Sequence, residues 1–282
     1  MSLHVSSGAV STYLQSILNQ NTTAYGKVLD QLSSGNKFTS VGEDPIGVTK
    51  SAKLGVQIGV NSVVADNVSI GKDLISLAND SQSGVMDNLQ RIHDLCLQIA
   101  NETNTVEARD GIITEIRARL TAIDYVAEST SFAGSKILDG SATNLTLQIG
   151  TASDATLNVG SALLDVHSSA LGGDLTLGPF VDGSTWTETD VMNYMGQVED
   201  AMAEITTAQG EAGGYAQRLE YTSGTLDSVN ENLVSLKSSI SDVDVAEATS
   251  EMVKYQVLQQ ASASVLTQTN QASGWALKLL KN

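Results

Sequence analysis

From Val10 to Leu32 apolar or neutral residues recur at alternating steps of four and three, so that Leu14, Leu18, Asn21, Tyr25, Val28 and Leu32 share one helical seam. That spacing predicts a coiled-coil helix, with Asn21 as a polar seam residue of the kind that fixes register. "SSGNKFTSVGEDPIG" then reads as a connector, because Gly35, Gly42, Pro45 and Gly47 cannot continue an uninterrupted helix. A second helical period runs from about Val48 to Ala100. After the polar break "NETNTVEARD", with Glu107, Arg109 and Asp110 in a charged first turn, a third continues to about Ser129.

The texture changes in "SFAGSKILDGSATNLTLQIGTASDATLNVG", where polar and apolar residues alternate between Gly, Asn and Asp breaks. Period two predicts a β-hairpin, with Leu145, Leu147 and Ile149 on one strand, Leu157 and Val159 on its partner, and a loop at 151–155. "DLTLGPFVDGSTW" reads as a further short extended segment. The helical period returns near Glu188 and persists, with a break expected at "GEAGG", to about Ile240. Ser241 or Asp242 is the expected N-cap of a terminal helix. That helix carries an apolar stripe through Leu258, Ala261, Val265, Leu266, Trp275 and Leu279.

The order is nearly symmetric about its centre, with a long helix at each end and complementary stripes. The expected fold is therefore mainly α: a long antiparallel helical bundle or coiled coil built from paired N- and C-terminal segments, with a small β-hairpin region in mid-chain. Residues 1–42 with 242–282 are expected to form an inner coiled-coil domain, 43–129 with 188–241 a helical rod, and 130–187 a short β-rich outer segment. Two paired helices still leave apolar surface on their outer faces. At roughly 25 cal/mol per Å² that surface is a driving force for self-association.

Composition sharpens this picture. Hydrophobic residues make up 41% of the 282 but aromatics only 4%, so burial rests on Ala, Val, Leu and Ile, which suits helices packed side by side. Two prolines agree with long helices, since an interior proline removes a hydrogen bond. Fifteen basic against 32 acidic residues give a net charge of −17, which repels phosphate backbones and disfavours nucleic-acid binding. No apolar run approaches the roughly 20 residues of a membrane span, so membrane insertion is not expected. "MSLHVSSGAVSTYLQS" lacks the basic-then-apolar pattern of a cleaved leader.

Candidate chemistry is sparse. Cys96 is the single cysteine, which excludes an intramolecular disulfide, and its helical context reads as a buried small hydrophobe. His93 and Cys96 share a helix face but have no third ligand nearby, and His4 and His167 are remote. "GEDP" and "SDVDVAE" gather carboxylates without the alternating ligand spacing of a calcium loop. Phosphate-loop, nucleophile-elbow and dinucleotide fingerprints are missing. The expectation is no enzyme, no catalytic or metal site and no cofactor.

The blocks "LDQLSSGNKFTSVGEDPIG", "NLQRIHDLCLQIANETN", "IRARLTAIDYVAESTSFAGSKILDG" and "SSISDVDVAEATSEMVKYQVLQQASASVLTQTNQ" occur in this order, and together they resemble bacterial flagellin. "LDQLSSGNKFTSVGEDPIG" is similar to the family's Leu-Ser-Ser-Gly stretch and the acidic pair that follows it. "NLQRIHDLCLQIANETN" and "IRARLTAIDYVAESTSFAGSKILDG" resemble the family's later helices and the run into its hairpin. "SSISDVDVAEATSEMVKYQVLQQASASVLTQTNQ" fits the family's C-terminal signature, with Gln256, Leu258, Gln259, Gln260, Ala261, Ser264, Val265 and Leu266 in register.

The resemblance implies a subunit that polymerises with copies of itself into the extracellular flagellar filament, its terminal helices paired along a central channel. It implies type III export, an export chaperone on the C-terminal segment, and hook-associated and cap proteins as neighbours. Leu14, Leu18, Tyr25, Val28 and Leu32 with Leu258, Ala261, Val265, Leu266, Trp275 and Leu279 are then the expected polymerisation seam. Leu89, Arg91, Leu95 and Glu115 match the segment that some flagellins present to an innate immune receptor or to neighbouring subunits. His93 and Asp94 replace the family's usual Arg and Glu there. Pro45 in "GEDPIG" is more typical of the related hook–filament junction protein, which is the alternative reading. A soluble enzymatic or ligand-binding helical protein is a further alternative.

Overall fold

The computed structural model describes residues 2–101, 104–177 and 187–280, and among them the side chains of residues 9–272. Five long helices are present: α1 (Ser2–Ser34), α2 (Pro45–Ile99), α3 (Val106–Ser129), α4 (Glu188–Ser241) and α5 (Val245–Leu280). Between α3 and α4 lie the strand pairs β1 (Ser131–Phe132) with β2 (Ser135–Lys136) and β3 (Thr146–Gln148) with β4 (Thr156–Asn158), both antiparallel. The chain forms two compact units, residues 1–58 with 231–282 (unit 1) and residues 59–230 (unit 2). The divisions fall within α2 and α4 rather than at the connectors where the sequence pattern placed them, and 130–187 belongs to unit 2.

In unit 1, α1 packs antiparallel on α5. Gly35, at φ 70°, ends α1 in the left-handed conformation that glycine adopts without a Cβ penalty. The chain then pairs with the α4–α5 connector: Asn36 bridges Asp242, Lys37 N–H donates to Ser241 O at 2.6 Å, and Val243 N–H donates to Gly35 O at 3.0 Å. This pairing occupies residues 241–243, so the cap of α5 is neither Ser241 nor Asp242. Asp244 Oδ1 accepts from Ala246 N at 2.8 Å and Glu247 N at 3.1 Å. Asp44 caps α2 in the same way, accepting from Ile46 N and Gly47 N, with Pro45 at the first helical position.

Unit 2 holds the hydrophobic core. Residues of α2 such as Val68, Ile75, Leu89 and Ile92 pack with Ile113, Ile116 and Ile123 of α3 and with Val198, Ala201 and Ile205 of α4. Leu138, Leu157, Leu163 and Leu171 from the middle segment complete the same core. The predicted hairpin is present: Leu147 pairs with Leu157, Val159 N–H donates to Leu145 O at 2.9 Å, and Ile149 N–H donates to Ala155 O at 3.0 Å. The smaller β1–β2 turn, with Ala133 and Gly134 at positive φ, is too short to leave a periodic signal.

The helix α4 runs through "GEAGG" without the expected break. Each glycine costs about 1 kcal/mol of helix propensity relative to Ala. Buried Ala208, Ala212 and Leu219 continue the core-facing stripe on both sides and hold the helix together. Asp174–Leu177 form no strand, and the rest of "DLTLGPFVDGSTW" lies outside the described residues. Leu175 is buried there, and its carbonyl accepts from the buried Tyr194 hydroxyl at 3.0 Å.

Candidate assembly surface

In α1 the inward positions are those the periodicity predicts. Val28 is buried, and Leu14, Leu18, Asn21, Tyr25 and Leu32 are half-buried. In α5 the inward line is Ala248, Met252, Tyr255, Gln259, Ser262, Leu266 and Thr269, again at alternating steps of four and three. Of the expected C-terminal seam residues only Leu266 lies on this line. Leu258, Ala261 and Val265 are exposed, and the side chains of Trp275 and Leu279 lie outside the described residues. Two stripes with coiled-coil spacing coexist on α5, and spacing alone cannot choose between them. The Asn36–Asp242 bridge and the hydrogen bond from Ser11 Oγ to Asn270 Oδ1 at 3.4 Å fix which one meets α1. The same register sets Asn21 level with Gln259, a polar layer of the kind that discourages slippage.

Unit 1 buries little. Among its described residues Val28 and Ala248 are the only buried hydrophobics. On α5, Val253, Val257, Leu258 and Val265 are exposed, and Tyr13, Val41 and Ile46 are each about two-thirds exposed. Among the described residues, unit 1 thus exposes more large hydrophobic side chains than it buries.

Unit 2 differs. Leu89 and Leu95 have fractional exposures of 0% and 1% and belong to its core, so they offer no surface on the single chain, contrary to the expectation from the resemblance. They fall on the helix face that packs against α3 and α4, a distinction that a linear motif does not carry. Arg91 and Glu115 lie outside the core, paired at 2.9 Å, with Arg119 at 3.7 Å from the same carboxylate. The hydrogen bond from Arg91 holds the Glu115 carboxyl below its ordinary range. His93 Nε2 lies 3.3 Å from Glu199 Oε1, linking α2 to α4.

Several polar groups of unit 2 serve the fold. The Ser168 hydroxyl donates to Asp124, whereas His167 Nδ1 lies 2.7 Å from Asp165, so serine and histidine do not form a nucleophile–base pair. Burial pushes the Cys96 thiol up to about 12, which leaves it protonated. No group of three metal-ligating side chains occurs among the described residues, and none of their helices is long and apolar enough to cross a membrane.

Long helices, a small β-rich middle and uncovered apolar helix faces define a structural subunit class. Residues 5–143 match the bacterial flagellin N-terminal helical region and residues 195–280 the bacterial flagellin C-terminal helical region. The chain is 31% identical to the flagellin of Bacillus subtilis over 293 aligned residues, covering 94% of this chain and 95% of that protein. It is 28% identical to the flagellin of Halalkalibacterium halodurans, covering 90% and 91%. The fold is also similar to a putative flagellar hook-associated protein from Vibrio parahaemolyticus, with a TM-score of 0.62 at 17% identity, over 71% of this chain and all of that one. That likeness shows a shared fold alone. The chain belongs to the flagellin family, and its role is that of a subunit of the bacterial flagellar filament.

Proposed function

We propose that the chain polymerises through unit 1, with the faces of α1 and α5 that do not meet each other covered by further copies. The observation that carries this reading is the mismatch, among the described residues of unit 1, between two buried hydrophobics and many exposed ones. Leu258, Ala261 and Val265 have their role here on the outer stripe of α5, while Leu14, Leu18, Tyr25, Val28, Leu32 and Leu266 hold α1 to α5. Trp275 and Leu279 are assigned to the same seam on the flagellin resemblance alone.

The function is mechanical and non-enzymatic: small shifts between packed helices of neighbouring copies set the shape of the filament. Membership of the flagellin family supports secretion by the flagellar type III route to an extracellular filament, a chaperone on the α5 segment during export, and contact with hook-associated and cap proteins. Arg91 and Glu115 are assigned to an inter-subunit surface. Sedimentation of the full chain against a variant lacking residues 260–282 tests the reading. Long polymers from the full chain alone are expected, and normal polymers from the shortened chain would overturn it.

A further inference from the structure

The outer stripe of α5 is its inward line moved by one residue. Leu258, Ala261 and Val265 stand immediately before Gln259, Ser262 and Leu266. Sliding α5 by one residue turns it about 100° and would exchange the two lines. Over these turns the slipped line is the more apolar, so burial favours the slip rather than opposing it. The first turns of α5 resist, because Glu247, Glu251 and Lys254 would there replace Ala248, Met252 and Tyr255. The register is therefore decided at the start of α5, beside the residues that pair with 35–37.

Residues 35–37 are themselves held by the rest of their connector. Glu43 closes its far end: Oε2 accepts from Thr39 N at 3.1 Å, and Oε1 from Thr39 Oγ1 at 2.8 Å. The same Oε1 lies 3.3 Å from Lys27 Nζ, which ties the loop back to α1. Four residues further along α1, Gln31 Nε2 donates to Lys37 O at 2.6 Å. Lys37 is thus gripped by α1 through its carbonyl while its N–H reaches Ser241 O. Phe38 lies against Gly47, where a Cβ would come within 2.6 Å of its ring, so the connector is seated on the first turn of α2 as well. The Thr39 hydroxyl, ahead of Lys27, holds the Glu43 carboxyl below its ordinary range, as hydrogen bonds to the charged form do.

We infer that Glu43 is a positioning residue for assembly: by fixing the loop that carries residues 35–37, it holds α5 in the register that leaves Leu258, Ala261 and Val265 outward. This rests on the assembly reading above and names the residue that selects its face. The Thr39 bonds carry the larger share, because two charge-assisted bonds from one residue fix the carboxylate in place. The Lys27 pair is exposed, and such pairs contribute little.

Cysteine pairs in the full chain, oxidised in dilute solution, read the register without polymer. Asn36→Cys with Asp242→Cys reports the observed register, and Asn36→Cys with Ser241→Cys reports the slipped one. With Glu43 present, the first pair should close at least about tenfold faster than the second, whose side chains point to opposite sides of the bridge. Glu43→Ala should bring the two rates within about threefold of each other. Glu43→Gln keeps an acceptor for Thr39, so it should restore most of the difference, and Lys27→Ala should leave most of it in place. Glu43→Ala should also raise the critical concentration for sedimentable polymer at least about tenfold, since the outer stripe is turned inward. An unchanged ratio of rates in Glu43→Ala, an equal slowing of both pairs, or no rescue by Glu43→Gln would overturn the inference. Failure of the natural chain to form polymer, with the cysteine rates as expected, would instead overturn the assembly reading itself.

Discussion

Asn36 and Asp242 face each other in an antiparallel bridge flanked by the Lys37–Ser241 and Val243–Gly35 backbone hydrogen bonds. These bonds lie on either side of the pair, so it is the non-hydrogen-bonded kind, with Cα atoms about 4.5 Å apart. That separation is within the range of a disulfide. Asn36→Cys with Asp242→Cys is therefore expected to cross-link within one chain on mild oxidation, since Cys96 is buried and does not compete. Faster migration in non-reducing electrophoresis would report it. Intermolecular dimers in its place would show that the two ends do not meet in this register.

Gly172 and Gly173 separate two causes of glycine dependence. Both have positive φ, at 58° and 77°. A Cβ on Gly172 would lie 2.1 Å from the Gln197 carbonyl oxygen, whereas a Cβ on Gly173 meets nothing within 4 Å. Gly173→Ala should cost about 1 kcal/mol of unit 2 stability, the left-handed penalty alone. Gly172→Ala adds a backbone clash and should cost at least about 3 kcal/mol. Urea unfolding of both variants checks the difference, and equal midpoints would refute the close approach.

Gly213 and Gly214 present the opposite case. Both are exposed within α4, and neither has an atom that a new Cβ would touch. Replacing both with Ala should stabilise unit 2 by about 1–2 kcal/mol through helix propensity. Calorimetry should show its unfolding midpoint several degrees higher. A lower midpoint would mean that α4 breaks at this point after all.

Much of this architecture is legible in the pattern of the chain. Alternating steps of three and four place α1 and its inward face, because one stripe there satisfies the spacing. The same rule is ambiguous in α5, where Leu258, Ala261 and Val265 compete with Met252, Tyr255 and Gln259 and the pairing with 35–37 decides. Local signals also mislead where tertiary contacts outweigh them: the glycines of "GEAGG" read as a break, but core-facing alanines carry the helix through.

Acid should weaken unit 2 through Glu115. Its folded carboxyl is held below the ordinary value of 4.5, first by the Arg91 hydrogen bond. A depressed carboxylate contributes stability above that ordinary value and loses it as pH falls through the lower folded one. Glu115→Gln should therefore be less stable than the natural chain at pH 7, and the gap should close as pH drops below about 4. A gap of constant size down to pH 3 would contradict the ion pair's role.

The account turns on unit 1 being incomplete until copies cover it. Amide hydrogen exchange of α1 and α5, measured in dilute monomer and in polymer, tests this most directly. The account predicts fast exchange across both helices in the monomer and protection of at least about a hundredfold in the polymer, with the core helices of unit 2 protected in both. Equal protection of α1 and α5 in monomer and polymer would contradict it.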